Sequence, residues 1–317
     1  MNLEPIPLLL QTLGLLLLAP LITGIIRNWK AKLQNRRGPR PWQIYLDLAK
    51  FWRKDMVISE HALWVFPLAP QVVFLSPLVA GLMVPMLGTA APLSLIGGVL
   101  AVVGLLALGR FFLALGGLDP GSAFGGMGSS REMTLSAIAE PALMLAVFSV
   151  AISAGSTDLS RICQSGQNAS WRLVNPAHVL AFAALFVVLL AETGRIPVDN
   201  PATHLELTMI HEAMLLEYSG RNLALMEWGA AIKQLVLMTL LVNVFVPAGL
   251  AEPGAGVTAL GLSLLAYLAK LLALSGAVVL VETTNAKLRL FRVPDLLSAA
   301  FVLATLALLS TVLIHTT

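Results

Sequence analysis

Eight stretches of this chain run for about twenty residues with few or no charged side chains: 5–26, 62–87, 92–110, 132–155, 176–195, 223–248, 257–281 and 296–314. A helix of about 20 residues is what a hydrocarbon core of about 30 Å demands. Lipid offers no partner for backbone N–H and C=O groups, so each run has to satisfy them internally as a helix. The chain therefore reads as all-α, a polytopic membrane protein of about eight transmembrane helices in a single domain over 1–317. Charged residues make up only 12% and the mean hydropathy is +0.85, where a soluble domain carries roughly 25% charged residues. Arg27 and Lys30 follow the first run and no basic residue precedes it. That reverses the pattern of a cleaved secretory signal, so the run is expected to stay as an anchor.

Lysine and arginine give the orientation. Residues 27–60 hold nine of them. With Arg110, Arg131, Arg195, Arg221, Lys287, Arg289 and Arg292, the odd-numbered connections carry sixteen. The even-numbered ones carry only Arg161 and Arg172. Basic loops stay on the cytoplasmic side, which predicts both termini outside the cytoplasm. The net charge of +3 is thus spent on topology and does not point to nucleic acid.

A single cysteine, Cys163, excludes an iron–sulfur cluster ligated by this chain, which needs several thiolates. His61, His178, His204, His211 and His315 are scattered. No catalytic residue, metal or cofactor is expected in this chain, and electrons would have to move through a partner.

Charges inside the runs carry the functional signal. Glu140, Glu192, Glu227, Lys233, Lys270 and Glu282 all lie within or at the inner end of a span. A charge at mid-bilayer costs about 2.5–3.5 kcal/mol on insertion scales, so such residues face the bundle interior and mark ion paths, or else form structural ion pairs. Glu227 and Lys233 are six residues apart, about 240° around a helix, so each needs its partner on another helix. At 1.5 Å per residue, Glu140 lies roughly 13 Å and Lys233 roughly 15 Å from the basic end, with Lys270 similarly central. The opposite halves of the spans hold no Asp, Glu, Lys or Arg beyond Glu4. A charged path entering from the basic side and stopping halfway is the expectation.

Two connections are too apolar to be plain solvated loops. In 196–222, Asn200-Pro201 reads as a helix start and Gly220 as a stop, framing an acidic helix of about 19 residues. It would carry His204, Glu206, His211, Glu212 and Glu217, with Arg195 and Asp199 ahead of it. In the basic loop 27–60, Gly38-Pro39 marks a turn, and 41–54 mixes Trp42, Ile44, Leu48 and Trp52 with Lys50, Arg53 and Lys54. That pattern suits an amphipathic helix against lipid headgroups, a partner protein, or both.

These segments resemble a known family. AETGRIPVDNPATHLELTMIHEAMLLEYSGR (191–221) is similar to the fifth connection of respiratory complex I subunit 1 and of its counterparts in membrane-bound group 4 [NiFe] hydrogenases. QNRRGPR (34–40) resembles that family's first-loop signature, and SSREMTLSAIAEP (129–141) its span-four entrance. GLDPGSAFGGMG (117–128) resembles the hydrogenase branch, which includes formate hydrogenlyase and hydrogenase-4-type complexes. The resemblance implies a non-catalytic subunit of an oxidoreductase complex in a prokaryotic cytoplasmic membrane. Its partners would be hydrogenase large and small subunits, an iron–sulfur protein and antiporter-like membrane subunits, with [4Fe–4S] clusters and a NiFe centre held by those partners. By the same resemblance, Arg195, Asp199, Glu206, Glu212 and Glu217 face the partner's last cluster. Glu140, Glu192 and Glu227 match carboxylates of proton coupling, and Arg36, Arg37 and Arg131 belong to the cytoplasmic interface. Two alternatives stay open: a quinone-site subunit of a complex I-like NADH dehydrogenase, and a stand-alone ion transporter. The transporter would show inverted repeats and broken helices, and neither is visible in the sequence.

Overall fold

A computed structural model of the chain describes residues 5–93, 98–167, 175–199, 209–252 and 254–316. Among them the elements are α1 (Pro5–Leu33), α2 (Gln43–Arg53), α3 (Val65–Met83), α4 (Val99–Leu118), α5 (Ala123–Ala154), α6 (Leu159–Gln167), α7 (Pro176–Glu192), α8 (His211–Leu215), α9 (Gly220–Phe245), α10 (Val257–Thr284) and α11 (Val293–Thr316). Seven helices are long and apolar enough to cross a membrane, and α7 is an eighth apolar helix of 17 residues. The all-α, multi-span architecture is the one expected.

Helix α9 is the most buried span and forms the centre of the bundle. It packs against α1, α3 and α7, while α5 joins α4, α7 and α11. Lipid gives no hydrophobic drive to helix association, so close contact has to come from small residues. Gly229 of α9 is such a point: a Cβ there would lie 2.6 Å from the Val73 carbonyl oxygen of α3. Two ends can be told apart. Residues 36–39, residues 193–195, Asp199 and His211 meet at one of them, the basic end. At the other, Gly88 bridges Ala251, Gly98 bridges Asp158, and Ser160 Oγ accepts from the Ala91 N–H.

Helix α1 runs seven residues beyond the expected end at 26, to Leu33, and two further spans differ from the sequence expectation. The third span is expected at 92–110, whereas α4 occupies Val99–Leu118. The fourth is expected to begin at 132, whereas α5 begins at Ala123. The later end of α4 and the earlier start of α5 have one cause: Arg110 and Glu132 do not end their helices but lie buried inside them, 4% exposed each. Ser122 starts α5 by accepting a hydrogen bond from the Gly125 N–H, as an N-cap residue does. Asp119, at the end of α4, accepts from Leu63 N (2.7 Å) and Phe66 N (3.2 Å), and so satisfies the free N–H groups at the start of α3.

The helix expected within 196–222 is also different. Its described part is α8, five residues long, and Asn200, Pro201, His204 and Glu206 lie outside the described residues. Among the described residues of this connection, most apolar side chains are covered within the chain. Met209, Ile210, Ala213 and Met214 are buried, with α8 lying on α4 and α5. Tyr218 stacks on Phe66, ring centroids 4.1 Å apart, and donates to its carbonyl; burial pushes its phenol pKa up. Leu216 remains exposed.

Candidate functional site

At the basic end a cavity of about 580 Å³ opens between α1, the turn at 36–39, α3, α4, α8 and α9. Its lining includes seven cationic side chains (Arg27, Lys30, Arg36, Arg37, Arg110, Arg195 and Lys233), four carboxylates (Glu192, Asp199, Glu212 and Glu227) and His211. Nine of the residues singled out in the sequence therefore meet at one place: Arg36, Arg37, Glu192, Arg195, Asp199, His211, Glu212, Glu227 and Lys233.

Arg110 organises the inner wall. It comes from the middle of α4 with its side chain 3% exposed. Nη1 donates to Glu140 Oε1 at 2.7 Å, Nη2 lies 2.9 Å from Glu192 Oε2, and Nε lies 3.8 Å from Glu132 Oε1. A guanidinium suits this position because its planar fork presents several donors in fixed directions. Lys233 of α9 adds a second cation at 2.8 Å from Glu192 Oε2, which supplies the partner on another helix that its position demanded. Glu227 has Arg27 of α1 as the cation acting on it. Two cations thus hold three carboxylates, and the cluster joins α4, α5, α7 and α9. Glu132 and Glu192 are almost fully enclosed, whereas the Glu140 side chain keeps 36% of its surface exposed. Glu140 is where the buried cluster reaches the lateral face of the bundle.

A second network holds the residues after α7. Arg195 Nη2 donates to Gln234 Oε1 at 2.8 Å and Nη1 to Glu282 Oε1 at 3.3 Å. Lys30 Nζ sits 3.1 Å from Glu282 Oε2, so α1, the turn after α7, α9 and α10 are tied together. Burial pulls the Arg195 guanidinium below its ordinary pKa, and Glu282 opposes that shift. Asp199 accepts from the Ile210 N–H at 3.2 Å and from Lys287 Nζ at 2.7 Å. Arg131 Nη1 donates to the Met209 carbonyl at 2.9 Å, so it holds the loop where it returns at 209–210. Glu217 is exposed.

Lys270 stands apart from both networks. It donates to Asn243 Oδ1 (2.7 Å) and to the Val246 carbonyl (3.0 Å), at the C-terminal end of α9. A cation there satisfies orphan carbonyls and complements the helix dipole. The expectation that Lys270 continues the path from the basic end is corrected: its head group is at the far end, close to α6. Cys163 of α6 also points there, at 3.4 Å from the Asn243 carbonyl, and burial pushes its thiol up to about 12. Among the described residues, no three of His, Cys, Asp and Glu converge as a metal-binding group.

Arg110 and Glu132 were missed by the sequence reading. Arg110 was counted as a loop charge, although FFLALGGL (111–118) continues the apolar run past it. That continuation was the available signal of a buried, partnered cation. Glu132 had no such signal, because it directly follows Arg131 near a run's edge.

The sequence matches the NADH dehydrogenase family over residues 6–314. It is 37% identical over 302 residues to hydrogenase-4 component C of Escherichia coli (strain K12), covering 94% of this chain and 93% of that protein. Formate hydrogenlyase subunit 4 of the same strain is 37% identical over 305 residues, covering 95% of this chain and 97% of that protein. In fold, the chain is similar to one in the structure of the membrane-bound sulfane sulfur reductase, an archaeal respiratory membrane complex, with TM-score 0.85 at 20% identity, covering 98% of this chain and 100% of that one. Matched along almost its whole length, the chain belongs to the NADH dehydrogenase family of membrane subunits, that of complex I subunit 1 and its hydrogenase counterparts.

Proposed function

We propose that this chain anchors a cytoplasmic hydrogenase module at its basic end and couples electron transfer there to proton or Na⁺ movement in neighbouring membrane subunits. The observation that carries this reading is the run of ion pairs from the cavity wall to Glu140. Lys233, Glu192, Arg110 and Glu140 follow one another at 2.7–2.9 Å, and the last member opens sideways. The partners are expected to be the large and small subunits and an iron–sulfur protein with [4Fe–4S] clusters and a NiFe centre. Antiporter-like subunits would lie beside Glu140. The hydrogenase-complex relatives support partnership with other subunits of such a complex.

The physics is that of a charge cluster with alternative pairings. A change in charge at the cavity, where residues 193–195, Asp199 and His211 form part of the wall, biases which carboxylate Arg110 and Lys233 hold. Two sites that bias one equilibrium are coupled in both directions. Charge reaching Glu140 leaves laterally. With Glu140→Gln, vesicles containing the complex should lose the ion gradient while electron transfer to an artificial acceptor persists. A full gradient at normal turnover in that variant would sink the reading.

A quinone-site role is the second reading, favoured by the cavity volume, which falls in the range of about 300–1,000 Å³ typical of small-molecule sites. Assaying the purified complex for nickel and for quinone separates the two.

Orientation is a further expectation. Leaving out Arg110 and Arg131, which lie well inside α4 and α5, fourteen basic residues remain on the odd connections or in the helix ends that adjoin them, against two on the even ones. A reporter active only outside the cytoplasm should work when fused at the C-terminus and fail when inserted in 285–289. The reverse pattern would overturn the assignment.

A further inference from the structure

His211 is the first residue of α8, and its ring lies over the turn after α7. Gly194 makes room for it: a Cβ there would lie 3.0 Å from His211 Nδ1. The ring lines the cavity, and its Nε2 is 3.4 Å from Glu132 Oε2. Both ring nitrogens are buried, and neither has a hydrogen-bond partner among the described residues. Ser76 Oγ and Arg110 Nε, on the same cavity wall, share that condition. Buried polar atoms in folded proteins are bonded as a rule. Orphaned polar atoms on residues that line one cavity are what a bound water, with two to four polar partners, satisfies.

The charges around the ring are Glu132 from α5 and Glu192 from α7, both within the reach of Arg110 from α4, with Lys233 from α9 behind Glu192. Glu212 follows in sequence. Arg110 and His211 both line the cavity and lie against Glu132, and of the two the imidazole is the one that can both take up and release a proton.

We propose that His211 passes protons between cavity water and the Arg110 cluster, with Glu132 as its acceptor. One ring nitrogen takes a proton from hydronium in the cavity water, which is left as H2O, and the other releases one to the Glu132 carboxylate, so the imidazole ends neutral in its second tautomer. Glu132 becomes an uncharged acid and loosens its hold on Arg110. The proton is then one ion-pair rearrangement from Glu140, and returning it to the cavity reverses the same steps. This assignment rests on the coupling reading above and names where protons enter it.

The test uses the intact complex in phospholipid vesicles, with membrane potential as the readout because a neutral weak base does not dissipate it. General acid–base groups contribute about 10²–10⁴-fold, so His211→Ala should lower the potential-generating rate at least tenfold while electron transfer to an artificial acceptor persists. Imidazole, small enough for the cavity, should restore much of the rate in His211→Ala and none in Glu132→Gln. A normal rate in His211→Ala overturns the proposal, as does a loss that imidazole leaves unchanged. His211→Gln is made in parallel in case the alanine variant fails to assemble. Failure of both to assemble also overturns it, since the residue is then structural. Glu140→Gln serves as the comparator. If it too leaves the potential intact, the coupling reading fails. If it abolishes the potential and His211→Ala does not, only the assignment of His211 fails.

Discussion

Replacing Arg110 with methionine should cost about 3–5 kcal/mol of stability, because removing one partner of a buried pair leaves uncompensated charge in a medium that solvates it poorly. Methionine fills much of the volume, so the loss is electrostatic and not a cavity effect. Glu132 and Glu192 bear it, with side chains 5% and 4% exposed, while Glu140 at 36% is partly solvated and contributes less. Lys233 still neutralises Glu192, which limits the damage to that residue. Arg110→Lys keeps the charge, but a single ammonium cannot serve three carboxylates on two helices. It should recover only part of the loss. The measurement is the yield and thermal stability of the detergent-solubilised complex. Adding Glu132→Gln to Arg110→Met should restore much of the stability, because Glu192 keeps Lys233, Glu140 is partly solvated, and the enclosed Glu132 charge is gone. A single Arg110→Met variant as stable as the parent would show that the cluster is solvated and not buried.

The second large effect is expected from a residue without any charge. Gly24 of α1 faces the backbone of Pro41, and a Cβ there would lie 1.9 Å from the Pro41 carbonyl oxygen and 2.9 Å from its carbon. Asn28 Nδ2 donates to the Pro39 carbonyl at 2.7 Å, and Tyr45 bonds to the Leu17 carbonyl. Residues 39–45 therefore run back along α1, which places α2 with Ile44 and Leu48 buried against Ala224 of α9. Gly24→Val should push this segment away from α1. Overpacking of this kind costs about 1–3 kcal/mol, enough for about a tenfold or greater shift in an opening equilibrium. A cysteine at Ile44 should then react about tenfold faster with a water-soluble maleimide than in the parent. The native Cys163 does not interfere, being buried and protonated. Unchanged labelling would mean that α2 is held by α9 alone. Residues 36–39 line the cavity, so the same variant should also impair coupling although no ionisable group is touched.

Spans were legible in the sequence because lipid imposes a length and forbids unpaired backbone, constraints that hold whatever surrounds a helix. The intramembrane charges were legible for the same reason, since a charge that lipid would reject announces a partner. Lys233 is the clearest instance: its need for a carboxylate on another helix follows from its depth, and Glu192 is that carboxylate. Which partner it takes was not readable, because pairing depends on helix packing that periodicity does not encode. Arg110 illustrates the opposite failure. Treating every arginine as a loop marker ended a helix at the residue that organises the site. Lys270 failed differently: its Cα lies midway along α10, but a four-carbon side chain carries the charge to the end of α9. The acidic loop was judged from composition, which reports that apolar residues need cover without saying from where. For α8 the cover comes from α4 and α5 of the same chain.

The segment GLDPGSAFGGMG (117–128) is a matter of helix geometry in this chain. Its Asp119 holds the start of α3, its Ser122 starts α5, and a Cβ at Gly125 would lie 2.1 Å from the Gly117 carbonyl oxygen. None of these groups lines the cavity. The motif sets how α4 hands over to α5, and so how Arg110 and Glu132 come into reach of each other.

Asp199 binds the Ile210 N–H and the Lys287 ammonium at once, so the chain leaves for residues 200–209 and returns through one pinned neck. The entropy of closing such a loop grows only with the logarithm of its length. A change of length between 200 and 208 therefore adds little closure entropy, while the Asp199 contacts hold the described residues on either side. Under the proposed function, editing this short stretch would alter what meets a soluble partner while the Arg110 cluster and the helices around it are inherited intact.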